Sequence, residues 1–184
     1  MRRGGPARVG QGFLVTTALT QIDVVRQLSN HAPRWSRTCS KPAVMAELPP
    51  KIFIADDDPL LLEGLSRALT GRGYTVRTAP DGPKLLSLME RESPDLVVLD
   101  IMMPGMSGLD VLRRVRDDGR WPEVPVMMVT ALTDAEVTES ARDRGASDVV
   151  HKPFRLRDLV SRIELWLRAA GRGDAVADPT RSGE

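Results

Sequence analysis

The run Leu96-Val97-Val98-Leu99-Asp100, followed at once by Ile101-Met102-Met103-Pro104-Gly105-Met106-Ser107-Gly108, constrains the fold more than any other part of the chain. Four apolar residues follow one another without polar alternation. The strand they predict is therefore buried on both faces, as in a parallel sheet covered by helices. The run ends in one carboxylate and a Pro/Gly turn. Asp100 is thus placed at the carboxyl end of a buried strand, where open α/β sheets carry their sites. Three other runs end in a similar way. Ile52-Phe53-Ile54-Ala55 leads into Asp56-Asp57-Asp58, Val126-Met127-Met128-Val129 into Thr130, and Val149-Val150-His151 into Lys152-Pro153.

Strands are predicted over 51–55, 74–78, 95–99, 125–129 and 148–151. They alternate with helices over 59–70, 82–92, 108–117, 134–144 and 155–169. Pro59 opens the first helix and Gly71 follows it. Asp81 caps the second, Thr133 or Asp134 caps the fourth, and Gly145 stops the fourth. Leu61, Leu65, Ala68 and Leu69 line the inner face of the first helix. Leu156, Leu159, Val160, Ile163 and Leu167 form the stripe of the last, with Trp166 off that stripe. Tyr74-Thr75-Val76-Arg77-Thr78 alternates, as an edge strand does, whereas the first, third and fourth strands are apolar throughout. Five βα units of this kind predict an α/β fold. It is a doubly wound five-stranded parallel sheet in the flavodoxin-like order 2-1-3-4-5, with helices on both faces. Only three Phe, three Trp and one Tyr occur in 184 residues, so the core is built from Leu, Val, Ile, Met and Ala.

Charge divides the chain into unlike parts. Residues 1–50 hold seven of the 26 Lys/Arg and two of the 25 Asp/Glu, leaving 19 basic against 23 acidic residues in the remainder. The first 50 residues form a basic extension without a domain-like pattern. They are read as disordered, or as sequence upstream of a start at Met45. Phe13–Leu28 alone shows helical spacing. Residues 51–169 form the domain and 170–184 a disordered tail. An acidic body argues against direct nucleic-acid binding. A lone Cys39 excludes an intramolecular disulfide. No apolar run approaches the ~20 residues of a membrane span, and the chain is expected in the cytoplasm.

The acidic pair Asp56-Asp57, the Asp100-x-Met102-Met103-Pro104 turn, the Thr130-Ala131 step and the Lys152-Pro153-Phe154 step occur in that order. Asp57 and Asp100 are 43 residues apart, Asp100 and Thr130 are 30 apart, and Asp100 and Lys152 are 52 apart. This pattern resembles the receiver domain of two-component response regulators over residues 51–169. The resemblance implies a phosphoryl acceptor at Asp100, supplied by a histidine kinase or phosphotransfer protein. It also implies a Thr130 hydroxyl that meets the phosphoryl group, a Lys152 ammonium that offsets its charge, and a cis peptide before Pro153. Converging carboxylates repel unless a hard cation joins them, and Mg²⁺ takes oxygen ligands. Asp57 and Asp100 are expected as direct ligands and Asp56 through water. By the resemblance, the backbone carbonyl of Met102 completes the set. Such a domain is not an enzyme toward other substrates. It assists its own Mg²⁺-dependent phosphorylation and loses the group slowly.

The leading reading is a single-domain response regulator that signals by contacts with an output protein the sequence does not name. The alternative is the receiver fragment of a DNA-binding transcriptional regulator whose effector domain lies outside this chain. A phosphohydrolase of the haloacid dehalogenase type would want a second Asp two residues after the nucleophile, where Met102 stands. Three positions depart from the family. Val149 occupies the place of a usual aromatic switch, and the apolar Met102 and Leu132 replace polar groups that help water attack the acyl phosphate. His151 is read as an exposed strand end, and the methionines at 102, 103, 106, 127 and 128 as loop and core fillers. Acidic Asp134, Glu136, Glu139 and Asp143 face the chemistry of basic Arg155, Arg157, Arg162 and Arg168. A homodimer through the fourth helix, fifth strand and fifth helix is therefore an open option, with Trp166 either its anchor or a cover for the core edge.

Overall fold

The computed structural model describes residues 48–172. The basic extension through residue 47, including the Phe13–Leu28 segment, and the tail from 173 onward lie outside the described residues. The elements alternate without exception: β1 (Lys51–Ala55), α1 (Pro59–Thr70), β2 (Thr75–Ala79), α2 (Gly82–Arg91), β3 (Leu96–Asp100), α3 (Gly108–Asp117), β4 (Val126–Thr130), α4 (Ala135–Asp143), β5 (Asp148–His151) and α5 (Leu156–Ala169). All strands are parallel, in the order β2-β1-β3-β4-β5.

Because strand side chains alternate between faces, the apolar runs feed two cores. Phe53, Val97, Leu99 and Met128 point to one side, where they meet Leu85 and Met89 of α2, Val111, Leu112 and Val115 of α3, and Ala141 of α4. Ile52, Ile54, Val98, Met127 and Val129 point to the other, against Leu65 and Leu69 of α1 and Leu159, Val160, Ile163 and Leu167 of α5. Strands β1, β3 and β4 are buried along nearly their whole length, whereas β2 exposes Arg77 and Thr78 at the sheet edge. Trp166 is 5% exposed. It covers the core edge and is not available as a dimer anchor, while Leu156, expected on the inner stripe, is exposed.

Caps fix where the helices start. Asp58 accepts the N–H groups of Leu60 and Leu61, Asp81 that of Lys84, and Asp134 that of Glu136. Ser107 and Asp110 close a reciprocal pair at the start of α3: Ser107 Oγ accepts the Asp110 N–H at 3.2 Å and donates to Asp110 Oδ2 at 2.6 Å. Gly145 has φ +89° and ends α4 as expected. Gly71 is right-handed, and the left-handed residue after α1 is Gly73. Strands β2, β3 and β4 sit one residue later than the apolar runs indicate. In β3 and β4, ladder pairing continues through the polar residues at their ends, with Asp100 opposite Val129 and Thr130 opposite His151. The Lys152–Pro153 peptide is cis.

Candidate functional site

The carboxyl edge of the sheet gathers the residues named above. Asp56 follows β1 and Asp100 ends β3; they are 2% and 4% exposed. Carboxylate oxygens of Asp56, Asp57 and Asp100 all lie within 4.8 Å of one another. Lys152, just past β5, reaches across two strands to place Nζ 2.7 Å from Asp56 Oδ2 and 2.7 Å from Asp100 Oδ2. The remaining oxygens of the two buried acids are held by backbone. Asp56 Oδ1 accepts the Asp58 N–H at 2.9 Å, and Asp100 Oδ1 accepts the Met102 N–H at 3.0 Å. The three consecutive aspartates thus divide into a buried site residue, an exposed site residue and a helix cap.

Thr130 is fully buried at the end of β4. Its hydroxyl accepts the Leu132 N–H at 3.0 Å, and its carbonyl accepts the Lys152 N–H at 2.7 Å. An oxygen that accepts one bond keeps its proton free to donate to an incoming group. The Met102 side chain is 54% exposed, so this methionine fills no core space. Met127 and Met128 are fully buried fillers, as expected.

Three carboxylates around one ammonium leave an excess of negative charge. Burial pushes the Asp56 carboxyl above the usual carboxylate range and the nearby Asp100 charge adds to this, against the opposing hydrogen bonds from Lys152 and Asp58. For Lys152, burial alone would lower the ammonium, but hydrogen bonds to Asp100 and Asp56 outweigh it and hold it above its ordinary value. A cluster of oxygen donors with surplus negative charge fits a hard divalent cation such as Mg²⁺.

Two residues at this edge do more than the sequence indicates. A Cβ on Gly108 would collide with the backbone carbonyl of Asp100, and the Gly108 N–H bonds to the Ile101 carbonyl at 2.9 Å. Glycine therefore allows α3 to start directly against the turn that follows Asp100. His151 is half-buried and not an exposed strand end. Its Nδ1 lies 2.8 Å from the Leu132 carbonyl and its Nε2 3.4 Å from Thr138 Oγ1. A lone histidine next to Lys-Pro gives no sequence signal of these partners, because both are brought to it by the β4–α4 connection.

Residues 52–164 match the family model described as response regulator receiver domain. The chain belongs to the response regulator receiver family. It is 39% identical over 123 residues to the probable transcriptional regulatory protein TcrX of Mycobacterium tuberculosis, across 67% of this chain and 52% of TcrX. It is 42% identical over 118 residues to the DNA-binding response regulator MtrA of Mycolicibacterium smegmatis, across 64% of this chain and 50% of MtrA. The chain spans about half the length of the curated relatives it matches. Among solved structures, the chemotaxis protein CheY4 of Vibrio cholerae superposes with a TM-score of 0.62 at 28% identity, covering 65% of this chain and 99% of CheY4. This receiver therefore carries the sheet order and acidic cluster its sequence indicates. Among its described residues no helix is long and apolar enough to cross a membrane.

Proposed function

We propose that this receiver takes a phosphoryl group onto Asp100 from a histidine kinase or phosphotransfer protein in the cytoplasm and signals through protein contacts. The observation that carries this reading is the Lys152 ammonium 2.7 Å from both Asp56 and Asp100, with Asp57 completing a carboxylate cluster. In the transfer, an Asp100 carboxylate oxygen forms a bond to phosphorus as the bond between phosphorus and the donor breaks. Lys152 follows the charge onto the phosphoryl oxygens, and the Thr130 hydroxyl donates to one of them. Asp57 and Asp100 would hold Mg²⁺ directly, Asp56 through water, and the Met102 carbonyl would complete the protein ligands. The bound ion supplies positive charge to the phosphoryl oxygens.

The test is incubation of the purified protein with acetyl phosphate, with and without Mg²⁺, on wild type and Asp100→Ala, read on a phosphate-affinity gel. A Mg²⁺-dependent shift confined to wild type supports the reading. Folded wild type that gives no shift counts against it.

A second reading concerns output. The relatives TcrX and MtrA are about twice as long as the matched region, and MtrA is described as DNA-binding. This supports, as the alternative, a receiver that works with a DNA-binding effector segment. The nucleotide sequence downstream of the codon for Glu184 separates the two readings. A stop codon there supports the single-domain reading, and an open frame encoding a helical DNA-binding segment supports the other.

A further inference from the structure

His151 ends β5 in register with Thr130, and its ring nitrogens pair with Leu132 and Thr138 rather than with the carboxylates. Its ring lies between the β4–α4 connection and α4. The Leu132 carbonyl 2.8 Å from Nδ1 can only accept, so Nδ1 carries the proton and donates. Nε2 is then an acceptor, and the Thr138 hydroxyl 3.4 Å away donates to it, in place of its alternative acceptor, the Asp134 carbonyl at the start of α4. Leu132 in turn donates its N–H to Thr130 Oγ1 at 3.0 Å. One chain of polar contacts therefore runs from the Thr130 hydroxyl through the Leu132 peptide and the His151 ring to α4. The helix has little else to fix it. Ala141 is its one buried residue, with Val137 half-buried beside the core. Val149, on the same strand, is packed in that core and has no polar side-chain atom to offer.

We propose that His151 is the positioning residue of this receiver. Nδ1 holds the Thr130–Leu132 segment at the acceptor, and Nε2 joins that segment to α4. The inference rests on the reading of Asp100 as phosphoryl acceptor, since Thr130 is placed for a phosphoryl oxygen. It gives the two ring nitrogens separate consequences: Nδ1 governs how readily the acceptor is phosphorylated, and Nε2 governs how far α4 responds.

Three variants of the full chain separate these effects. His151→Leu keeps bulk and loses both contacts. His151→Asn keeps a donor near Nδ1 and loses reach to Thr138. Thr138→Val cuts only the link to α4. The measurements are the initial rate of Mg²⁺-dependent phosphorylation by acetyl phosphate and the amide NMR shifts of Ala135–Asp143 before and after phosphorylation. Thermal melts establish that each variant is folded at the assay temperature. His151→Leu is expected to slow phosphorylation about fivefold, the loss of one neutral hydrogen bond. Thr138→Val should stay within about twofold of wild type yet lose most of the α4 shift change, and His151→Asn should lose that shift change as well. If His151→Leu fails to fold, the other two variants carry the test. Wild-type behaviour of α4 in His151→Asn and Thr138→Val overturns the proposal, as does a fivefold loss of rate in Thr138→Val. Asp100→Ala is the control. If wild type takes no phosphoryl group, or Asp100→Ala still takes one, the acceptor reading fails. If wild type is phosphorylated on Asp100 and the variants are indifferent, only the role of His151 fails.

Discussion

Asp56 shows most clearly how the site sets function against stability. Its carboxyl is buried and held above the usual range, so the folded chain binds that proton more tightly than the unfolded chain. Ionising it costs stability as pH rises from the ordinary value of 3.8 through the raised one. At pH 7 and without a divalent ion, Asp56→Asn is therefore expected to stabilise the protein by about 1 kcal/mol. The same change should weaken Mg²⁺ binding, as followed by titration calorimetry. Lower stability in urea together with unchanged Mg²⁺ affinity would contradict the assignment. Near Asp100, the proposed acceptor, Met102 and Leu132 supply no group to orient or deprotonate an attacking water. The phosphorylated protein should therefore lose its group slowly, and Leu132→Glu should shorten its lifetime by at least about tenfold. A fast, Leu132-independent decay of the isolated phosphoprotein would refute this. Val149 is 1% exposed within a packed core. Val149→Tyr overfills that core and is expected to cost about 1–3 kcal/mol in chemical denaturation.

At the scale of elements, the junction of β3 and α3 is the most constrained. Ser107 caps α3 through a side-chain pair with Asp110. Gly108 is the next residue and leaves no room for a Cβ against the Asp100 carbonyl. Gly108→Ala must move either the helix or the end of β3. We expect a loss of about 3 kcal/mol or more, together with weakened Mg²⁺ binding in whatever fraction stays folded. A Gly108→Ala protein that melts like wild type would show that the junction yields. Much of this level is legible in the sequence. Uninterrupted apolar runs give β1, β3 and β4, and Pro59, Asp81 and the Thr133-Asp134 step mark the starts of α1, α2 and α4. Strand ends are less legible, because Asp100 and Thr130 continue the ladder although their side chains read as loop. The close approach at Gly108 is invisible for a related reason. Only the folded backbone brings residue 108 against residue 100. His151 likewise finds Leu132 and Thr138 through topology, across 19 and 13 residues of chain.

Across the whole molecule the two ends of the sheet are built on opposite electrostatic plans. At the carboxyl edge, carboxylates outnumber the single Lys152 ammonium. At the amino edge, the half-buried Arg116 of α3 is surrounded by neutral carbonyls. Its guanidinium donates to Gly145 at 2.9 and 3.1 Å, to Trp121 at 3.2 Å and to Val124 at 3.0 Å. Burial lowers the guanidinium below its ordinary value, and the carbonyls replace the water it has lost. One side chain thus ties α3 to the turn before β5 and to the segment leading into β4. The sequence hides this role, since an arginine on an amphipathic helix reads as a solvated charge. The two plans imply that stability and chemistry can be changed separately. Arg116→Met leaves three carbonyls without their donor and is expected to cost about 2 kcal/mol in urea unfolding. It lies at the far end of the sheet, so the Mg²⁺-dependent phosphorylation rate of the folded protein should match wild type. Asp56→Asn should do the reverse, with stability held or raised and phosphorylation impaired. Measured together below both melting transitions, the two variants should form this crossed pattern. If Arg116→Met slows phosphorylation while fully folded, the amino edge is coupled to the acceptor and the separation does not hold.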